Sequence, residues 1–388
     1  MKKPIKVFVL AILLVCSLIF PSFSTSSLVM AKANNDGLNL TAKSAILIDY
    51  NSGKVLYEKA SNERLPIASM TKLATLAVVF DSIDKGIVKE NDMVQVSKTA
   101  AATGGSSAFL DAGSNYKVCE LIKSVIIASA NDSSVALSEH IAGSEDLFVE
   151  RMNKMVTNLG LSNTHFSNST GLPIDNHYSS AFDMSQIYKL ICNHELYKRY
   201  SKVWMDDFVH PSGRKTGLVN TNKLIKSYEG IEGGKTGFTN SARFCLTAAA
   251  ARGNMRVVAV VIGVNDSKTR FAEMTKLFNF AFANYDTVFM ANKDVPLTIS
   301  AVKKSEKQVE VFAKETVSIL TEKAKNKKYT MDFKLDEIVA PIKANSVVGK
   351  LFVFDENNMV VFETDVIVKD EVSEIGLKER FNKLIKFW

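Results

Sequence analysis

Two apolar runs constrain this chain most: Arg243 to Ala251 and Arg256 to Val264, joined at Arg252-Gly253-Asn254. Both have strand character, and so short a connection makes them partners in an antiparallel hairpin. Residues 44–58 repeat the signal, with Ser44-Ala-Ile-Leu-Ile-Asp-Tyr, a turn at Asn51-Ser-Gly, and Lys54-Val-Leu-Tyr-Glu. Between the hairpins helical spacing takes over. It starts near Ser69 and runs through Leu73, Leu76, Ala77 and Phe80. Leu121 to Ala130 and Ser134 to Ile141 read as two helices separated by Asn131-Asp132, and Glu145 to Leu159 as another, ending at Gly160. Lys268 to Tyr285 is helical through Phe271, Met274, Phe278 and Phe282. Strands, many helices, strands and a helix, in that order, predict an α/β unit with helices packed on an antiparallel sheet.

After about residue 293 the texture changes. Val309-Glu-Val-Phe, Tyr329-Thr-Met-Asp-Phe and Lys350-Leu-Phe-Val-Phe are short alternating segments, punctuated by Ala340-Pro341 and Asn357-Asn358. They predict a small all-β module. At 388 residues the chain has room for two such cores, and 46% hydrophobic with 23% charged residues excludes disorder, collagen and a multi-span membrane protein.

The N-terminus has the pattern of an export signal. Lys2, Lys3 and Lys6 precede an apolar Val7 to Phe20, and Ala31-Lys32-Ala33 supplies the small-x-small cleavage pattern. The apolar stretch is short of the roughly 20 residues a spanning helix needs; a retained N-terminal anchor is the alternative. Removing residues 1–33 takes away four lysines and no acid, leaving +3 of the formal +7. The basic balance therefore gives no reason to expect nucleic acid as a partner. Cys119, Cys192 and Cys245 remain, an odd number without close spacing, which argues against a disulfide framework or a zinc site and for buried free thiols.

Three short motifs carry the chemistry. Ser69-Met70-Thr71-Lys72 opens a helix, and one turn places serine and lysine on the same side. A serine hydroxyl needs a base within hydrogen-bond reach, and a lysine can be that base when its surroundings depress its pKa. Ser129-Ala130-Asn131, at a helix end, offers a second hydroxyl to relay a proton and an amide to hold substrate or lysine. Lys235-Thr236-Gly237 lies just ahead of the second hairpin, where a lysine and a hydroxyl suit a substrate carboxylate and Gly237 permits close approach of a ligand. A second copy, Lys215-Thr216-Gly217, follows His210-Pro211-Ser212-Gly213 and reads as a loop, so the chemistry is assigned to Lys235. Each motif alone has an ordinary structural reading as a cap, a turn or a strand end. Their order is what specifies a serine acyl-enzyme site.

With these motifs the sequence resembles the low-molecular-mass penicillin-binding proteins, the serine-type D-alanyl-D-alanine carboxypeptidases. Pro66-Ile-Ala-Ser-Met-Thr-Lys-Leu, Ala128-Ser-Ala-Asn-Asp, Asn163-Thr-His-Phe-Ser-Asn, Gly171-Leu-Pro, His177-Tyr-Ser-Ser-Ala-Phe-Asp-Met and Gly233-Gly-Lys-Thr-Gly-Phe-Thr all look like family segments. The likeness covers residues from about 40 to 285, and more weakly the tail, at Ala340-Pro-Ile-Lys and Val348-Gly-Lys-Leu. It implies a β-lactamase/transpeptidase-like domain, an antiparallel sheet with helices on both faces, then a small all-β domain. It implies Ser69 as nucleophile, Lys72 as base, Ser129 and Asn131 as proton relay and holder, and Lys235 and Thr236 as the carboxylate site. The backbone N–H groups of Ser69 and Phe238 would form the oxyanion hole. Neither metal nor cofactor is implied. The substrate would be a peptidoglycan stem peptide ending in D-Ala-D-Ala, with β-lactams as covalent inhibitors.

A class A β-lactamase shares the motifs but deacylates through a glutamate, and no glutamate lies between Glu150 and Glu195. A non-catalytic penicillin-recognising protein would be expected to have lost a motif residue, and none is lost. In the last seventeen residues Leu377, Phe381, Leu384, Ile385 and Trp388 make one helical stripe, with Lys378, Arg380, Lys383 and Lys386 largely off it. Such a helix fits either a membrane interface or the β module; the resemblance favours the membrane. The expected organisation is a signal peptide at 1–33, a catalytic domain at 34–290, a β-rich domain at 293–370 and an amphipathic anchor at 372–388. The expected location is the outer face of the bacterial cytoplasmic membrane.

Overall fold

In the computed structural model, which describes residues 37–374, both expected hairpins join one antiparallel sheet of five strands. The strands are β1 (Ser44–Asp49), β2 (Val55–Lys59), β3 (Ile231–Thr239), β4 (Arg243–Arg252) and β5 (Met255–Val264), in the order β2-β1-β5-β4-β3. The central strands are buried on both faces, which is why they read as continuous apolar runs rather than as alternating ones. Alternation persists in where the side chains go. Ile46, Ile48, Val258, Val260 and Ile262 enter one core, while Ala45, Leu47, Val257, Ala259 and Val261 enter the other.

The first core is roofed by α1 (Lys72–Asp84), α2 (Val118–Ala128), α3 (Asn131–Ala142), α4 (Glu145–Asn158) and α5 (Ala181–Ile191). The second is covered by α6 (Ser267–Asn284), through Met274, Leu277, Phe278 and Ala281. Each fully buried Leu, Met or Phe contributes about 1.5–3 kcal/mol of transfer free energy, so the sheet is held from both sides. Helices on both faces match the expected architecture.

Beyond α6 the chain enters strand Tyr285–Ala291, which pairs antiparallel with Val317–Glu322. The boundary expected between residues 290 and 293 falls at the end of that strand. A second five-stranded sheet follows, ordered Thr298–Ala301, Gln308–Ala313, Val360–Val368, Ser346–Phe354 and Thr330–Leu335, around Val311, Leu351, Val353, Val366 and Val368. Val372 bridges Ile342 in extended conformation, so the first residues of the expected 372–388 helix are not helical. The rest of that helix, and the segment 1–33, lie outside the described residues. Cys192 and Cys245 are buried and Cys119 only half-buried, against the expectation that all three would be interior; all are free thiols, each with its pKa raised, chiefly by burial.

Candidate active site

Ser69 does not open an α-helix directly. It lies in a single 3-10 turn, Ala68–Thr71, from which α1 continues at Lys72. The turn requires a left-handed Ala68, φ +49°, a strained conformation for a residue with a Cβ. Its neighbours hold it there. Gly171, itself at φ +80°, presses against it so closely that a Cβ would come within 2.0 Å of the Ala68 carbonyl oxygen. Thr71 Oγ1 donates to that same oxygen at 2.9 Å and lies 2.7 Å from His177 Nε2. The Ser167 N–H donates to His177 Nδ1 at 3.1 Å, which leaves Nε2 as the protonated nitrogen and makes Thr71 its acceptor. Burial, followed by the charges of His165 and Lys72, pushes the His177 pKa down to about 4, so the ring is neutral.

Lys72 is fully buried, with Nζ 3.1 Å from Ser69 Oγ and donating to the Thr170 carbonyl at 2.6 Å. Burial first, and then the charge of Lys235, hold its pKa well below the lysine range, with Asp132 acting in the opposite sense. A neutral amine within hydrogen-bond reach of a hydroxyl is what a serine nucleophile needs as its base. The opposing segment supplies carbonyl oxygens: Thr75 Oγ1 donates to Ser169 O at 2.6 Å, one helical turn beyond Lys72.

Ser129 and Asn131 come from the junction of α2 and α3. Ser129 ends α2 at φ +65°, and α3 starts at Asn131 itself, so no gap separates the helices at Asn131-Asp132 as the sequence had suggested. Asn131 Nδ2 donates to Gly104 O at 2.6 Å, and its backbone N–H donates to Ser106 O at 2.7 Å. Ser129 Oγ and Asn131 Oδ1 are both buried and have no partner within the described residues. Leaving a buried polar atom unpaired costs about 1–3 kcal/mol, and such atoms are tolerated where a ligand is to meet them.

Lys235, Thr236, Gly237 and Phe238 lie on β3, the edge strand. Lys235 is buried, its Nζ donating to Thr236 O at 2.9 Å, and burial plus the charge of Arg270 lower its pKa to about 7. Thr236 Oγ1 donates to Thr221 Oγ1 at 2.7 Å. Gly237 has a packing role that the sequence did not suggest. A Cβ there would lie 2.5 Å from Ile67 O and 3.3 Å from the Met70 nitrogen, so the glycine seats the strand against the nucleophile's turn. Phe238 is half exposed and packs its ring 4.4 Å from that of Phe244. The competing Lys215 is exposed and paired with Asp207 at 3.1 Å, on a strand, Lys215–Val219, rather than the expected loop.

Lys72 thus stands within hydrogen-bond reach of Ser69 and within range of the Lys235 charge. No hydrogen bond joins Ser129 to either Ser69 or Lys72 among the described residues. Sequence reasoning assigned no role to Asp132, Thr170, His177 or Arg270. Asp132 is wholly buried and accepts from Ser107 Oγ, the Ala108, Leu110 and Ser133 N–H groups at 2.6–3.0 Å, tying the 107–110 loop to α3. Arg270, on α6, donates to the Gly237 and Cys245 carbonyls, both at 3.3 Å.

The family model described as D-alanyl-D-alanine carboxypeptidase matches residues 29–266, and that of the penicillin-binding protein 5 C-terminal domain matches residues 285–374. D-alanyl-D-alanine carboxypeptidase DacF of Bacillus subtilis strain 168 is 41% identical over 350 residues, 89% of this chain and 90% of the relative. D-alanyl-D-alanine carboxypeptidase DacC of Escherichia coli K12 is 34% identical over 87% of this chain and 86% of its own. The crystal structure of penicillin binding protein 5 from Haemophilus influenzae superposes with a TM-score of 0.68 at 32% identity, covering 86% of this chain and 98% of that one.

Proposed function

Because the chain belongs to the D-alanyl-D-alanine carboxypeptidase family of serine peptidases, we propose that Ser69 is the nucleophile that removes the terminal D-alanine from peptidoglycan stem peptides. The protein is a D-Ala-D-Ala carboxypeptidase of the low-molecular-mass penicillin-binding type; the assignment of steps to residues is our reading. One observation carries it: a fully buried lysine of depressed pKa, with its nitrogen 3.1 Å from the serine oxygen.

Ser69 Oγ attacks the carbonyl between the two D-alanines while Lys72 Nζ takes its proton. The oxyanion is met by backbone N–H groups of Ser69 and Phe238. Ser129 passes a proton to the amine of the departing D-alanine, with Asn131 holding the geometry. Lys235 and Thr236 bind the terminal carboxylate. Water then attacks the ester carbonyl, Lys72 takes its proton and delivers it to Ser69 Oγ as the C–Oγ bond breaks, and the shortened peptide leaves. A β-lactam enters the same path, its ring amide opening onto Ser69. The carbonyl of Thr170, rather than a carboxylate, faces Lys72, which supports slow release of that ester in contrast to a class A β-lactamase.

We extend the reading to location: residues 1–33 direct export, residues 34–290 form the catalytic domain, 293–370 the β-rich domain, and the C-terminal segment rests on the membrane surface. The support is the sequence pattern. Since Val372 is hydrogen-bonded to Ile342 in both directions, at 2.8 and 3.0 Å, the deletion that tests the anchor starts at residue 375. The truncated protein should move from the membrane to the soluble fraction; retention on the membrane rejects the anchor.

Incubation with a fluorescent penicillin and with a D-Ala-D-Ala peptide tests the chemistry. Labelling and D-alanine release should both vanish in Ser69→Ala. Activity that survives in this variant refutes the assignment, and rapid penicillin turnover by the wild type would establish the β-lactamase instead.

A further inference from the structure

Asn131 is aimed by a segment that precedes its own helix. Gly104 O accepts from its side-chain amide at 2.6 Å, and Ser106 O accepts from its backbone N–H at 2.7 Å. Residues 104–111 thus lie as a strap against the start of α3, and Asp132 binds the strap again at Ser107, Ala108 and Leu110. Any shift of the strap is passed to Asn131 and, two residues before it, to Ser129.

The strap is strained at Phe109. This residue is left-handed, φ +61°, a conformation unfavourable for a bulky side chain, and the side chain itself is exposed. Its N–H donates locally, to Ser107 Oγ at 2.9 Å. Its carbonyl is taken by a residue 105 positions further on. Arg214 Nη2 donates to Phe109 O at 2.6 Å and to Asp111 Oδ1 at 2.9 Å. A charged donor makes both bonds of the stronger kind.

Arg214 is itself seated. It lies in the connection between two paired strands, Met205–Val209 and Lys215–Val219. His210, which opens that connection, is buried, with Nδ1 3.1 Å from Arg214 Nη2 and 2.9 Å from Tyr116 Oη, and Nε2 2.8 Å from Thr216 Oγ1. A guanidinium only donates, so Nδ1 is the accepting nitrogen and Nε2 carries the proton. The strand Lys215–Val219 then leads to Thr221, whose hydroxyl accepts from Thr236 of the Lys235 motif. Arg214 therefore joins two sides of the site, the strap that holds Asn131 and the hairpin that leads to Thr236.

We infer that Arg214 is a positioning residue for leaving-group protonation: by pinning the strap at Phe109 and Asp111 it keeps Asn131, and with it Ser129, where a proton reaches the departing amine. The inference rests on the carboxypeptidase function above. It adds a residue outside the three motifs, one that has no hydrogen bond to any of them.

The test changes the leaving group alone. In Nα,Nε-diacetyl-Lys-D-Ala-D-Ala the amide nitrogen must gain a proton as its bond to the carbonyl carbon breaks. In the thiolester that carries D-thiolactate as its last unit, sulfur departs as a thiolate and needs none. The two are compared by kcat/KM, which reports acylation, with the full-length protein. Arg214→Gln should lower the amide value by about tenfold, less than a lost general acid would cost, and the thiolester value by under about twofold. Arg214→Lys keeps the charge without the planar fork and should restore part of the amide value. Asp111→Asn spares the Phe109 contact and should give a smaller fall, again with the amide alone; it carries the comparison should Arg214→Gln not fold. An equal fall with both substrates, or an unchanged amide value in folded Arg214→Gln, overturns the role of Arg214 and leaves the carboxypeptidase standing. A wild-type protein that cleaves neither substrate overturns the function and the inference together.

Discussion

Lys72 Nζ lies 3.1 Å from Ser69 Oγ, and the same nitrogen donates to Thr170 O, so the base is aimed by a backbone atom of a segment almost a hundred residues away. That relation makes Lys72→Arg an informative variant. The guanidinium can reach the same partners but stays charged and does not surrender its proton in a protein. Acylation by a fluorescent penicillin should fall by about 10²–10⁴, the range attributed to a lost general base. A circular dichroism spectrum like that of the wild type would separate this from misfolding, and near-normal labelling of Lys72→Arg would remove Lys72 from the role of base.

The two active-site lysines set opposite limbs of the pH profile. Deprotonation of Lys72, whose pKa is held well below the lysine range by burial and by Lys235, gives the ascending limb, because the base must be neutral. Deprotonation of Lys235, its pKa lowered to about 7, gives the descending limb, because it removes the charge that attracts the substrate carboxylate. The descending limb should appear in kcat/KM, which reports the free enzyme, and be weaker in kcat, because a bound carboxylate keeps Lys235 protonated. In Lys235→Arg that limb should move to higher pH. An unchanged limb in this variant would assign it to another group.

Much of this was legible in the sequence because the relevant signals are local. The hairpins at 44–58 and 243–264 have short turns, α6 has an unbroken apolar spacing, and the three motifs are each contiguous. What stayed hidden is created by contacts across long separations. Nothing near residue 68 announces a left-handed alanine, because Gly171 and the His177–Thr71 hydrogen bond impose it from more than a hundred residues away. Asp132 read as an ordinary residue in a break between helices, yet it is buried by the loop it binds. The Lys215 copy was misread as a loop because its strand pairs mostly through exposed positions, leaving little apolar pattern to detect.

Gly171→Ala tests the clamp on the nucleophile's turn. A Cβ at this position would meet the Ala68 carbonyl at 2.0 Å, and φ +80° is unfavourable for alanine in its own right. Backbone must move, and the cheapest movement releases Ala68 from its strained conformation, carrying Ser69 with it. Acylation should therefore drop by about 10²-fold, as for a misplacement of about 1 Å, with a smaller proportional change in thermal stability. Loss of melting temperature with an unaltered acylation rate in the remaining folded protein would show that Gly171 serves the fold alone.

His177 links the same clamp to acid stability. Its folded-state pKa is lowered from the ordinary 6.5 to about 4, mainly by burial, so the folded protein keeps the ring neutral where the unfolded chain protonates it. Between those values the unfolded state binds more protons, and stability declines as the pH falls through that window. The shift corresponds to about 3 kcal/mol by pH 4. The His177→Gln variant has no proton to gain. It should be less stable than the wild type near pH 7, where it lacks the ring that accepts from Ser167 and donates to Thr71, but should lose stability less steeply on acidification. Urea denaturation at pH 7, 5.5 and 4.5 measures both slopes. Parallel curves would mean that His177 is protonated in the folded protein as readily as in the unfolded one.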